Sequence, residues 1–178
     1  MNVRGDNIAL IGFRTTGKSS VGRILARELG KIFVDMDEFL THSFGTTIDC
    51  WVRRHGWKSF RREESDLLLR LAQMDGVVVA TGGGVVLDAT NREILKRSFE
   101  VVWLRASPDA IESRILADPA SATQRPPLST LPLREEIETL LQERSALYAA
   151  TAHVSLDTDT LSEERVAEEV LRLLQMEK

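Results

Sequence analysis

The chain is poor in the residues that staple or metallate small proteins. Cys50 is the sole cysteine among 178 residues, which excludes an internal disulfide and a cysteine-built metal site. The three histidines, His42, His55 and His153, share no metal-ligand spacing and read as structural or surface residues. Long hydrophobic runs are missing as well. No apolar stretch approaches the length that spans a bilayer, and the N-terminus enters the first strand without a signal-peptide pattern, so the expected setting is the cytoplasm. An excess of positive charge is lacking too. A formal net charge of −4 argues against wholesale binding to nucleic acid or an anionic membrane, so phosphate chemistry must rest on locally placed cations. Neither an internal repeat nor a low-complexity tract nor a linker interrupts the chain.

What is present, 43% hydrophobic and 28% charged residues, suits one domain over residues 1–178 with a sizeable core. Strand-like apolar runs at 8–11, 31–37, 77–80, 100–105 and 153–157 alternate with helical patterns at 18–29, 38–44, 46–54, 58–74, 88–97, 108–116, 133–150 and 161–175. Gly30 and Gly45 stop helices, a threonine caps the one beginning at 46, and Pro108 opens another at its first turn. Such alternation predicts an α/β fold with three α/β/α layers around a five-stranded parallel sheet, and ligands at the strand C-termini.

Between the first strand and helix lies Gly12-Phe13-Arg14-Thr15-Thr16-Gly17-Lys18-Ser19, a complete G-x-x-x-x-G-K-[ST] phosphate loop in the strand-then-helix context it needs. Glycines let backbone N–H groups close around a phosphate at the positive end of the helix. Lys18 then reaches the β- and γ-phosphates of a nucleotide, and the Ser19 hydroxyl coordinates magnesium. The other expected nucleotide-binding positions of this stretch are Gly12, Thr15, Thr16, Gly17 and Ser20.

Further candidates fall at the same rim of the sheet. Asp35 and Asp37 end the second strand, where alternation puts both on one side; they supply carboxylates for magnesium, for its waters or for a hydroxyl nucleophile. Gly82, Gly83 and Gly84 follow a wholly apolar strand and mark backbone approached closely by another group. Lys58, Arg61 and Arg62 precede Glu63 and Glu64, and by composition alone this is a salt-bridged helix face. Arg125 lies in the irregular stretch 117–131, long enough for a lid, and is either a lid cation or an ordinary loop arginine. Arg144 has Glu143 or Glu136 within helical reach.

Taken together, Gly12-x-x-x-x-Gly17-Lys18-Ser19, Asp35-Met36-Asp37, Thr47-Ile48, Gly56-Trp57-Lys58-Ser59-Phe60-Arg61-Arg62-x-Glu64, Thr81-Gly82-Gly83-Gly84-Val85-Val86, Arg125-Pro126 and Glu143-Arg144-x-x-Leu147-Tyr148 resemble the shikimate kinases from Ile8 to about Leu174. The resemblance implies a P-loop NTPase of the nucleoside-monophosphate-kinase-like type, with ATP and Mg2+ as cofactors and shikimate as substrate. It implies Lys18, Asp37 and Arg125 as catalytic residues, and Ser19 and Asp35 as magnesium ligands, Asp35 through water. Asp37, Phe60, Arg61, Glu64, Gly82, Gly83, Gly84 and Arg144 would form the shikimate site, Arg61 and Arg144 gripping its carboxylate. Arg114, Arg125 and Asp157 would lie at the nucleotide. A monomer with no nucleic-acid or membrane partner is expected. Thr15 stands where these kinases usually have another glycine, Trp57 replaces a common glutamate, and Pro127 is an extra proline.

Two rivals share the phosphate loop. A gluconate kinase has no reason to keep Phe60-Arg61-Arg62, and a regulatory nucleotide-binding domain without turnover has none to keep Asp37, Arg61, Arg125 and Arg144 together. If residues 117–131 are a lid, their amides gain hydrogen-exchange protection when nucleotide and acceptor are both bound. Equal exchange with and without both ligands rules the lid out.

Overall fold

The two most buried strands are the ones whose sequences are apolar at every position. In a computed structural model describing residues 6–118 and 131–176, β1 (Ile8–Ile11) and β3 (Val77–Ala80) are buried throughout, as strands covered on both faces must be. With β2 (Ile32–Asp35), β4 (Glu100–Arg105) and β5 (Val154–Asp157) they form a parallel sheet of order β2-β3-β1-β4-β5.

Side-chain alternation along β1 divides the core. Ala9 and Ile11 face one cluster with α2 (Met36–Phe44), α3 (Ile48–Leu71), α4 (Ala89–Ser98) and α6 (Leu133–Thr151). Ile8 and Leu10 face the other, with α1 (Lys18–Leu29) and α7 (Glu163–Met176). A third, smaller cluster joins Phe13 of the phosphate loop to Ile111 and Ile115 of α5 (Pro108–Ala117) and Ile137 of α6. The chain leaves β1 toward β2, and leaves β3 across the sheet toward β4, so the order reverses between β1 and β3. The crevice at such a switch point is where open α/β sheets take ligands.

Caps set most helix limits where the sequence places them. Gly30 ends α1 and Gly45 ends α2, both in the left-handed region; the side chains of Thr47, Asp88 and Ser107 accept backbone N–H bonds at the starts of α3, α4 and α5. Two differences matter. The separate helices expected at 46–54 and 58–74 meet within α3 at Gly56, whose φ of 79° and ψ of 162° break the helical path. The second strand stops at Asp35, which becomes the N-cap of α2, and Asp37 stands in the first helical turn. Strand alternation therefore does not place the two acids; the cap does.

Arg134 pairs with Asp109, with Glu112 at 3.4 Å and with Glu138 at 2.6 Å, tying the start of α6 to α5. At the opposite rim of the sheet, buried Asn7 closes the backbone ladder. Its Nδ2 donates to Met74 O at 2.6 Å, its Oδ1 accepts from Val77 N at 3.0 Å, and its carbonyl accepts from Glu100 N at 2.8 Å. Asn7→Ala orphans the buried Val77 N–H, at about 1–3 kcal/mol, and the part-buried Met74 carbonyl, at about 1 kcal/mol. A fall in Tm of roughly 4–16 °C is expected for a chain of this size, and a melt within 2 °C of wild type contradicts this account.

Candidate active site

The phosphate loop is a sharp reversal held in place by close backbone contacts. Gly12 (φ 142°) and Gly17 (φ 88°) use backbone conformations that favour glycine, and a Cβ on Gly12 would fall 2.4 Å from the Leu104 carbonyl oxygen of β4. Thr15 is the one non-glycine residue with positive φ among those described, at 60°, a conformation costing a β-branched residue about 1–3 kcal/mol. Its carbonyl accepts from Arg114 Nη1 at 3.2 Å. Arg114 also reaches Thr158, through Nη1 to the hydroxyl at 3.1 Å and Nη2 to the carbonyl at 2.7 Å, and so braces the loop against the end of β5. Beside it, Ser107 N donates to Asp159 at 2.9 Å. That bond holds the Asp159 carboxyl below the usual carboxylate range, against the opposing effect of burial.

Within the loop, Thr16 Oγ1 donates to Phe13 O at 2.9 Å, and the buried Lys18 ammonium donates to Gly12 O at 2.9 Å and Phe13 O at 2.6 Å. Ser19 Oγ donates to Asp35 Oδ2. The other oxygen of Asp35 accepts from the backbone N–H groups of Asp37 at 2.9 Å and Glu38 at 3.1 Å. Hydroxyl and carboxylate oxygens are hard donors of the kind magnesium takes, and the loop is shaped for phosphate. The residues fit a magnesium nucleotide.

A cleft of about 750 Å3 opens over this loop, lined by Lys18, Ser19, Ser20, Asp35, Asp37 and Gly83 among others. From α6, Tyr148 Oη donates to Gly83 O at 2.5 Å and Arg144 Nη1 to the same oxygen at 3.4 Å. From α3, the Arg61 guanidinium lies against Gly84, with Nη1 donating to the buried Glu64 carboxylate at 2.5 Å and Cζ 5.3 Å from the ring centroids of both Trp57 and Phe60. Two arginines from separate helices thus converge on one dipeptide at the end of β3. Arg144 reaches Gly83, while Glu136, more than two turns earlier on α6, pairs with Arg14 at 2.6 Å.

Not every expected position meets the cleft. Asp157 pairs with Arg105 at 2.7 Å, and it is the neighbouring Thr158 that Arg114 holds. Arg125, with most of the stretch 117–131, lies outside the described residues. His153 accepts from Val101 N at 2.9 Å and serves the fold, and the His55 ring lies 4.3 Å from that of Trp51. His42, read as structural or surface, is exposed and also lines the cleft near the end of α2. Arg14, Asp118 and Glu163 line it as well. Arg14 occupies a motif position that accepts any residue, and the other two sit at helix ends, so spacing carries no signal for them.

A family model described as shikimate kinase matches residues 14–175. The chain belongs to the shikimate kinase family. It is 40% identical to the shikimate kinase of Syntrophus aciditrophicus, over 97% of this chain and 92% of that protein. Identity to shikimate kinase 2 of Dickeya chrysanthemi is 45%, over 84% and 86%. Among solved structures, shikimate kinase from Acinetobacter baumannii in complex with shikimate superposes with a TM-score of 0.91 at 32% identity, covering 97% of this chain and 94% of that one. Among the described residues, no helix is long and apolar enough to cross a membrane.

Lys18 stands in the phosphate-loop motif and lines the cleft, so its charge serves a phosphate more than the core. Lys18→Met is expected to cut phosphoryl-transfer turnover about 100- to 1000-fold while Tm moves by less than about 5 °C. Near-normal turnover in the variant would remove Lys18 from the chemistry.

Proposed function

We propose that this protein transfers the γ-phosphoryl group of ATP to the 3-hydroxyl of shikimate, giving shikimate 3-phosphate and ADP on the route to chorismate and the aromatic amino acids. The observation that carries the reading is the convergence of Arg61 and Arg144 on Gly83–Gly84, of which Gly83 lines the same cleft as the phosphate loop and Asp37. A polyhydroxy acid needs cations for its carboxylate and carboxylates for its hydroxyls, and planar guanidinium groups suit a carboxylate best.

The backbone N–H groups after Gly12 and the Lys18 ammonium hold the phosphates, Lys18 turning from the loop carbonyls it now bonds. Ser19 would hold the metal, and Asp35 would anchor its water shell. When bound, magnesium neutralises charge on the β- and γ-phosphates. Arg114 and Thr158 flank the base. Asp37 accepts a hydrogen bond from the acceptor hydroxyl and aims its oxygen at the γ-phosphorus for in-line displacement. As the new P–O bond forms and the bond to the β-phosphate oxygen breaks, the hydroxyl proton leaves toward Asp37 and charge passes to ADP. Arg125 completes the proposed catalytic set by closing on the transferring group. Phe60 walls the acceptor site, and Glu64 braces Arg61. The protein works as a monomer in the cytoplasm, with no nucleic-acid or membrane partner.

A coupled ADP-release assay over shikimate, quinate, gluconate and nucleosides tests the acceptor: turnover with shikimate alone is expected, and turnover with another member instead overturns the assignment. The clamp has its own test. Arg61→Lys keeps the charge but loses the fork, so shikimate binding should weaken about ten- to a hundred-fold, equivalent to about 1.5–3 kcal/mol, while ATP binding holds. Unchanged shikimate affinity, or an equal loss for ATP, returns Arg61 to an ordinary helix face.

A further inference from the structure

We propose that Gly84 is a positioning residue whose missing side chain makes the seat for the Arg61 guanidinium. The inference rests on the reading of Arg61 as a ligand for the acceptor carboxylate. Gly84 has φ −99° and ψ 2°, a conformation open to L-amino acids, so its backbone does not require glycine, unlike that of Gly12 or Gly17. What requires it is another side chain. A Cβ built on Gly84 falls 2.2 Å from Arg61 Nη2, 2.5 Å from Cζ and 2.6 Å from Nη1, and these are the three nearest atoms it meets.

The guanidinium is confined elsewhere too. Nη1 is held by the buried carboxylate of Glu64 at 2.5 Å, a charge-assisted bond. Trp57 and Phe60 bracket Cζ at 5.3 Å from each ring centroid, within cation–π range. The side chain keeps only a quarter of its exposure. Its rotamer freedom is therefore spent before a ligand arrives, which raises affinity by preorganisation, and the donors not given to Glu64 remain for a planar anion. A methyl at position 84 would push aside only the flexible end of Arg61. The fold would lose little, and the clamp would lose its geometry.

The test compares wild type with Gly84→Ala, Arg61→Ala and the double variant, measuring shikimate and ATP affinity, KM against kcat, and Tm. Gly84→Ala is expected to weaken shikimate binding about ten-fold or more, chiefly through KM, with ATP affinity within two-fold. The double variant should bind shikimate no worse than Arg61→Ala alone, because both changes remove one interaction. Shikimate affinity within two-fold of wild type in Gly84→Ala overturns the seat but leaves the Arg61 assignment standing. Losses that multiply in the double variant overturn it likewise. Normal shikimate binding by Arg61→Ala removes both the seat and the clamp. Should Gly84→Ala fail to fold, recovery in the double variant supports the seat, since the overlap is then gone; failure of both shows that Gly84 serves the backbone and overturns the proposal.

Discussion

The site depends on one carboxylate used on both sides. One oxygen of Asp35 accepts the Ser19 hydroxyl at the start of α1, and the other caps α2 through the amides of Asp37 and Glu38. The end of β2, the phosphate loop and α2 are thereby fixed to one group. Capping is worth about 0.5–2 kcal/mol to a helix, and here it also determines where Asp37 stands, since the first turn follows directly from the cap. Asp35 and Asp37 are set by the same bond pattern. Movement of α2 would disturb both.

Across the cleft, geometry comes from absent side chains. Gly12 lies so close to the Leu104 carbonyl that no Cβ fits between them, and Gly84 so close to Arg61 that none fits there. The carbonyl of Gly83, between these contacts, takes bonds from Tyr148 and Arg144. Tyr148 is itself fully buried and stacks on Trp103 of β4 at 5.7 Å. The segment after β3 is thus gripped from α3 and α6 at once, and a rigid backbone holds two cations that would otherwise repel each other and wander.

Arg14 and Glu136 extend this frame. Their ion pair, with the Glu136 side chain 5% exposed, ties the phosphate loop to the first turn of the helix whose later turns carry Arg144 and Tyr148. The pair holds the phosphate loop in register with α6.

Much of this was readable from local signals. Phosphate-loop spacing, apolar strands, the helix stops at Gly30 and Gly45, the threonine cap before α3, Pro108 in the first turn of α5, and the glycine run after β3 are short-range features, and short-range physics governs them. Periodicity likewise separates β1 into its two faces. The order β2-β3-β1-β4-β5 is another matter, because strand neighbours are chosen by packing across the whole sheet. So are the partners of Arg61, which composition alone would leave on a solvated face, and of Glu136, which meets Arg14 of the phosphate loop. Asp35 and Asp37 do share the cleft, but through the cap and not through strand alternation, because Asp35 ends the strand two residues early and caps α2. The sequence by itself determined which residues bear the chemistry; the tertiary structure decided which of them meet, because a buried charge takes the partner that three-dimensional packing brings to it.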